Sequence, residues 1–363
     1  MQTTITYRRE GIPTAPFATV ASEVLLGIDP GAGAIKICGP GGGIQLPSIV
    51  ATDGSRGLSR MAGLAQAKPP LRIVTKAGTF WVGERAADWG RVVENLDHDR
   101  FTGSPELQAL TYAGLTRYRQ QCNRLAVELN VTIGLPLETL TGPESETASL
   151  AAGVRRWLVG GHTWTADGTP CEAAITEAKI SSQPAGALFD FLLDETGGFI
   201  LARKLLFGKE IGVVSVGMST VELLVARNGA PVNRFTAGQT FGVRRLLELA
   251  APDGLYTLGE LDTQLRAGRL DIGLALPIWA SEVTGLIERR WGRDYRRFAA
   301  IVVVGGGALL LREALLTRFG GKAFLPEDPV IATARGLFKM ALMQAARKRA
   351  KPARDGAEEV ADG

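Results

Sequence analysis

Gly27-Ile28-Asp29-Pro30-Gly31-Ala32-Gly33-Ala34-Ile35-Lys36 is the stretch on which the reading of this chain turns. It continues an apolar run from Leu25, and glycine at the end of a buried strand lets the backbone approach a ligand with its amides turned toward an anion. Two later segments repeat the arrangement: Val213-Val214-Ser215-Val216-Gly217-Met218-Ser219-Thr220-Val221-Glu222 and Ile301-Val302-Val303-Val304-Gly305-Gly306-Gly307-Ala308. Taken singly, each has an ordinary explanation: a glycine hairpin with a surface Asp and Lys, a core hairpin, a glycine triplet after a buried strand. In this order they point to a nucleotide clamped between two similar halves.

The chain has 363 residues, enough for roughly two domains. Hydrophobic residues make up 45% and charged residues 21%, a globular composition with a sizeable core. No apolar run reaches the roughly 18 residues of a membrane span. Arg8 and Arg9 are followed by acidic Glu23 and Asp29 without a clean apolar stretch, so no secretory signal is expected. Three scattered cysteines (Cys38, Cys122, Cys171) fit a reducing cytoplasm and argue against a disulfide framework or a zinc site. His98 and His162 are too isolated for histidine-based metal chemistry and read as core or surface residues. The net charge of +4 is mild, with Arg347, Lys348, Arg349, Lys351 and Arg354 near the end and Glu358, Glu359 and Asp362 after them. A solvated tail is the favoured reading; a salt-sensitive contact with nucleic acid or an acidic partner is the other.

Residues 1–21 carry Pro13 and Pro16 and no periodicity, and read as a flexible extension. Residues 22–180 form a first α/β domain with an outer part at about 45–103. Strands are expected at Leu25 to Ile28, Ile35 to Cys38, Gln45 to Val50, Leu71 to Lys76, Thr79 to Val82, Val131 to Leu135 and Ala173 to Ile180, with an edge strand at Thr163 to Ala166. Ser104 followed by Pro105 caps a long helix whose face runs from Leu107 through Cys122 and Leu125 to Leu129. A second helix covers Glu144 to Leu158. Residues 181–325 form the second domain, with its outer part at about 240–275. It opens on a helix at Gly186 to Asp194, then a hairpin at Ile211 to Val216 and Val221 to Ala226. Helices follow at Phe241 to Ala250, Leu258 to Ala267 and Ile278 to Arg290, before a buried strand at Ile301 to Val304. Residues 326–346 make a helix returning to the first domain, and 347–363 the charged tail.

The loops suit phosphate chemistry. Asp29, Gly31, Gly33 and Lys36 spell D-x-G-x-G-x-x-K. Backbone from Gly31 through Ala32, Gly33 and Ala34 can bend tightly, Lys36 brings positive charge to a β- or γ-phosphate, and Asp29 can hold magnesium through water. Gly217 and Thr220 would wrap the phosphates from the other side, Met218 and Ser219 adding amides. Gly305, Gly306, Gly307 and Ala308 leave a backbone shelf for adenine or ribose.

These residues resemble the actin-type ATPase superfamily, and within it the bacterial and archaeal actin-like proteins related to plasmid-segregation ParM, from about Leu25 to Met343. Gly134-Leu135-Pro136, Ser182-Gln183-Pro184-Ala185-Gly186-Ala187, Leu258 to Gly268 and Pro326 to Gly336 (PEDPVIATARG) strengthen the likeness. The resemblance implies the fold shared by actin, heat-shock chaperones and sugar kinases: two duplicated α/β domains flanking a nucleotide cleft. It implies that Asp29 organises magnesium, Lys36 holds phosphate, Gln183 orients the attacking water, Gly217 to Thr220 bind phosphate, and Gly305 to Gly307 bind the adenosine side of ATP, with GTP left open. One departure stands out: Ser215 occupies the position of a family aspartate. Either Glu222 compensates or the ion is held less firmly, and Glu222 is expected to be a solvent-facing strand residue. Slow hydrolysis is therefore an expectation. Ala32 and Thr333 are milder departures.

The family role is a cytoplasmic filament that assembles on ATP or GTP binding and disassembles after hydrolysis, in DNA or plasmid segregation or as a scaffold. The expected partners are the chain itself and a DNA-binding adaptor, with direct nucleic-acid contact left open and no membrane. The alternative is a non-polymerising nucleotide-dependent switch, or a pseudo-ATPase, on the same fold.

Overall fold

The computed structural model describes residues 23–52, 68–122 and 128–350. The expected extension at 1–21, residues 53–67 of the outer first-domain part, Leu125, and Lys351, Arg354, Glu358, Glu359 and Asp362 of the tail lie outside the described residues.

Two sheets carry the molecule. The first contains β1 (Glu23–Pro30), β2 (Ala34–Gly39), β3 (Gly42–Pro47), β4 (Val50–Thr52), β5 (Leu71–Thr75), β6 (Gly78–Val82), β7 (Arg91–Val92), β8 (Glu128–Leu135), β9 (Gly160–Ala166) and β10 (Thr169–Ser182). Their order is β3-β2-β1-β8-β10-β9-β5-β6-β4-β7. The second contains β11 (Ile211–Val216), β12 (Val221–Arg227), β13 (Ala230–Pro231), β14 (Ala237–Gln239), β15 (Ala300–Val304) and β16 (Ala323–Phe324), ordered β13-β12-β11-β15-β16 with β14 also on β12. The duplication is visible in the pairing. β1 is antiparallel to β2 and parallel to β8, as β11 is antiparallel to β12 and parallel to β15. Asp29 sits opposite Lys36 in the first hairpin, and Ser215 opposite Glu222 in the second.

The central strands are apolar because both faces are covered. Helices α1 (Pro105–Cys122) and α2 (Glu144–Leu158) belong to the first lobe. The second lobe adds α3 (Gln183–Leu192), α4 (Leu201–Lys204), α5 (Val243–Ala250), α6 (Leu258–Arg266), α7 (Ala275–Trp291), α8 (Gly306–Leu310) and α9 (Arg312–Phe319), and the chain ends on α10 (Ala332–Ala350). Leu26, Ile35, Ile37, Leu115, Tyr118 and Val131 are at the centre of one core, and Val214, Leu223, Trp279, Ile287 and Phe298 at that of another.

α3 packs on β11, β12 and β15, while α10 packs on β1, β2 and α3, so these two helices join the lobes. They cross at glycine: a Cβ on Gly336 would lie 1.8 Å from the Gly186 carbonyl oxygen, so no side chain fits there. Beside the crossing, Arg335 donates to both carboxylate oxygens of Asp190 at 2.7 and 2.6 Å, and Lys339 Nζ lies 3.0 Å from Asp190 Oδ1. Burial works against the charge of Arg335, and its two bonds to Asp190 more than offset that.

The structure corrects several expectations. The strand at Thr163 to Ala166 is not at an edge: β9 lies between β10 and β5, because the small outer strands extend the sheet beyond it. The long helix is described to Cys122, and Leu129 belongs not to it but to β8, where it is fully buried. Gln45 to Val50 is split, β3 ending at Pro47 and β4 beginning at Val50. The helix expected from Gly186 begins at Gln183, where Ser182 Oγ caps it by accepting from the Ala185 amide at 3.2 Å.

Candidate nucleotide cleft

The carboxyl ends of β1 and β11 meet between the lobes, where the topology of open α/β sheets places ligands. The cleft there encloses about 1180 Å³, counted out to solvent, and Asp29, Gly31, Ala32, Gly33, Ala34, Lys36, Gln183, Gly217, Met218, Ser219, Thr220, Gly305 and Gly306 all line it. Gly307 and Ala308 lie behind this lining. A Cβ on Gly307 would lie 2.4 Å from Val216, and Ala308 is fully buried. The glycine triplet forms no flat shelf, since α8 begins at Gly306; Gly305 bends the chain at φ +93° with its amide on the Pro329 carbonyl at 2.8 Å.

The two loops facing each other carry donors without acceptors. The amides of Gly31, Ala32 and Gly33, and those of Met218, Ser219 and Thr220, make no backbone hydrogen bond among the described residues. Carbonyls hold the second loop in place instead. Gly217 accepts from Val243 at 2.9 Å, Met218 from Arg244 at 2.8 Å and Ser219 from Gly242 at 3.0 Å. In the first loop, Ser48 Oγ donates to the Gly31 carbonyl at 2.7 Å. Gly33 abuts Met218 so closely that a Cβ would lie 2.9 Å from that side chain. Two such runs of free donors on one cleft have the chemistry to hold an anion.

Asp29 is buried and engaged on both oxygens: Oδ2 lies 3.1 Å from Lys36 Nζ, and Oδ1 accepts from Gln183 Nε2 at 2.8 Å. Because a carboxylate only accepts, the Gln183 amide is fixed with nitrogen toward Asp29 and oxygen away. Ser215 is buried and neutral at the matching position of the second lobe. Glu222, expected to face solvent, is fully buried. Its Oε1 accepts from the Leu137 amide at 2.5 Å, tying the second lobe to the first, and its Oε2 has no partner among the described residues. Burial pushes its carboxyl up to about 8; the Leu137 bond opposes this, and the charges of Asp29 and Glu138 add to it. The alternation of β12 could not reveal this, because the loop after β8 covers the face where Glu222 stands.

Other lining residues escaped the sequence reading: Gln45, Phe101, Asp262 and Arg266 among them, an apolar wall of Leu265, Leu309, Leu310 and Val330, and above all Arg100. Asp262, Leu265 and Arg266 fall in the Leu258 to Gly268 stretch and Val330 in the Pro326 to Gly336 stretch, quoted above for family likeness and not as site residues; the others carry no local motif, and the long-range fold brings them to the cleft. Asp262 is paired with Arg266 at 2.7 Å, and burial pushes its carboxyl up. The lobes also touch across the mouth, where Glu94 accepts from the Leu258 amide at 2.8 Å.

Residues 27–186 match the family model described as the N-terminal domain of actin-like proteins. Comparison with curated proteins returns no match. Among solved structures, the archaeal actin homologue Ta0583 aligns at 20% identity with a TM-score of 0.67, over 90% of this chain and 99% of that one. The apo ParM protein of pSK41 aligns at 14% identity and 0.66, over 91% and 99%. ParM from a 15-stranded Clostridium botulinum filament aligns at 18% and 0.65, over 88% and 98%. Another structure of Ta0583 holds ADP and aligns at 20% and 0.67, over 90% and 99%. The chain thus has the actin-like fold and resembles ParM, with its residues 27–186 matching the N-terminal domain of actin-like proteins.

Proposed function

We propose that the chain is an actin-like nucleoside triphosphatase that polymerises when it binds ATP or GTP and disassembles after hydrolysis, acting in DNA segregation or as a cytoplasmic scaffold. The observation that carries this reading is the pair of amide runs without a backbone partner among the described residues, Gly31 to Gly33 and Met218 to Thr220, lining one cleft from two lobes together with Lys36. The domain division follows: 22–180 and 181–325 as the two halves, joined through α3 and the returning helix.

The nucleotide's phosphates lie between the two runs, and the apolar wall of Leu309, Leu310 and Val330 takes the base. Gln183, held by Asp29, presents its amide oxygen to a water, which that oxygen orients by accepting a hydrogen bond. Positioning a water in a site whose charges are already placed is most of what phosphoryl transfer to water needs. Magnesium, which keeps most of its hydration shell, fits a single carboxylate plus phosphates, so Asp29 would hold it through water; when bound it supplies neutralisation of the phosphate charge. Ser215 adds no charge, so hydrolysis is slow relative to binding. A phosphate bridging both loops favours the closed pair of lobes, and closed subunits stacking head to tail form an open-ended filament. The 15-stranded filament of Clostridium botulinum ParM, which shares this fold, supports the reading.

High-speed sedimentation with magnesium and a triphosphate, a diphosphate or a non-hydrolysable analogue, with phosphate release read from the same tubes, tests it. Pelleting with triphosphate but not diphosphate, with slow phosphate release, is expected. Absence of a pellet under every nucleotide, across protein concentration and salt, overturns the filament and leaves the nucleotide-dependent switch.

A further inference from the structure

The cleft contains a cation that the two amide runs do not explain. Arg100 lies on a single 3-10 turn, His98–Thr102, immediately before α1. Its backbone is pinned: the Arg100 amide donates to Asp97, and the Arg100 carbonyl accepts from Gly103 and Ser104, each within 3.2 Å. Phe101 beside it is buried, its carbonyl accepting from Trp157 Nε1 at 2.7 Å. The mount is therefore rigid. The guanidinium rests over the Phe101 ring, 4.5 Å from the centroid, and Nη2 donates to the Pro30 carbonyl at 3.3 Å. Pro30 is the residue between Asp29 and Gly31.

This guanidinium is underemployed. Its Nε is sealed from solvent with no partner among the described residues. The nearby carboxylates make no ion pair with it among the described residues: Asp29 bonds Lys36 and Gln183, Glu106 accepts from Asn95 at 2.6 Å, and Glu94 accepts from the Leu258 amide. His98 leans to Glu138, 3.8 Å away. Burial lowers the Arg100 pKa to about 10, with Glu106 and Asp29 opposing, and it stays charged at neutral pH. Arg100 is half-buried, with Nε sealed and no ion pair among the described residues, so an anion entering the cleft would complete it, and its planar fork suits two oxygens of one phosphate. Asp29 and Gln183 mark the end of the cleft where water would attack, and Arg100 reaches that end through its bond to the carbonyl of Pro30, the residue after Asp29. Arg100 also lines a second cavity of about 770 Å³ that shares Gly33, Met218 and Ser219 with the cleft.

We propose that Arg100 binds the terminal phosphate of the nucleoside triphosphate, adding a fixed cation to a cleft in which Ser215 supplies no second carboxylate. This rests on the nucleotide reading above. It makes the third phosphate the group that joins the outer turn at His98–Thr102 to the first glycine loop, and it makes discrimination of triphosphate from diphosphate partly independent of magnesium.

The test is calorimetric titration of the full chain and of R100Q and R100K with ATP and with ADP, each in magnesium and in EDTA. The parent should prefer ATP in both media. R100Q should lose about 10- to 100-fold in ATP affinity, the effect of removing a charge-assisted hydrogen bond, while ADP affinity changes by less than about threefold. R100K should fall between the two, since it keeps the charge and loses the fork. An unchanged ATP-to-ADP ratio in R100Q overturns the assignment, as does an equal loss for both nucleotides, which would make Arg100 structural. A parent that binds none of ATP, ADP, GTP and GDP, titrated alike, instead overturns the nucleotide reading itself.

Discussion

Glu222 offers a pH-dependence that can be worked out in sign and size. Its carboxyl starts from 4.5 and is raised to about 8 in the folded chain, chiefly by burial. A group whose folded pKa is raised contributes its full stability below the unfolded value, and loses it as pH climbs through the folded one. The affected window therefore runs from about pH 4.5 to about pH 8, with stability falling as pH rises. Each unit is worth about 1.4 kcal/mol, so the loss between pH 5 and pH 8 is on the order of 3 kcal/mol. E222Q keeps an acceptor for the Leu137 amide and cannot ionise. Urea unfolding of parent and variant at half-unit pH steps isolates the effect. The variant should gain on the parent by about 1 kcal/mol per pH unit across the window, and the two should run parallel below it. Parallel curves throughout would refute the reasoning, because they would mean that Glu222 is solvated in the folded chain, as its place on a strand first suggests.

Two further outcomes follow from the joint and the cleft. Asp190→Ala leaves the half-buried Arg335 without an ion-pair partner among the described residues, while Lys339 keeps Glu195 at 2.8 Å, at a cost of about 3 kcal/mol; thermal melting should fall by on the order of 10 °C, and a fall within experimental error would show that the helix crossing does not depend on this cluster. Gln183→Ala should lower phosphate release roughly 100-fold while leaving triphosphate affinity close to that of the parent, which calorimetry and phosphate release together resolve; equal losses in both would place Gln183 in binding instead.

What the sequence disclosed divides along physical lines. Asp29 and Lys36 were legible because a tight hairpin fixes the distance between residues seven apart, and the pattern is local. The same holds for Gly217 to Thr220 and for the capping of α1 by Ser104 and Pro105. The ends of elements were less legible. The periodicity of α1 ran on through Leu125 to Leu129, since a buried strand supplies apolar residues as readily as a helix face does. β9 looked like an edge because its outward residues are polar, yet its neighbour β5 is more than eighty residues earlier in the chain. Arg100 and Glu222 were beyond reach for a deeper reason. Their chemistry depends on what burial removes from them, and burial here comes from chain distant in sequence: Leu137 for Glu222, Pro30 for Arg100. Charged residues on a short turn and on a strand read as solvated until the packing is known.

Hydrogen–deuterium exchange of the full chain, with and without magnesium and a non-hydrolysable triphosphate, tests the central claim most directly, because the proposed cradle is made of amides. At a protein concentration below the onset of pelleting, protection should appear together at 31–36, 217–220 and 305–306, and should be weaker with a diphosphate. Protection confined to one lobe, or located away from these three loops, would contradict a nucleotide clamped between two halves.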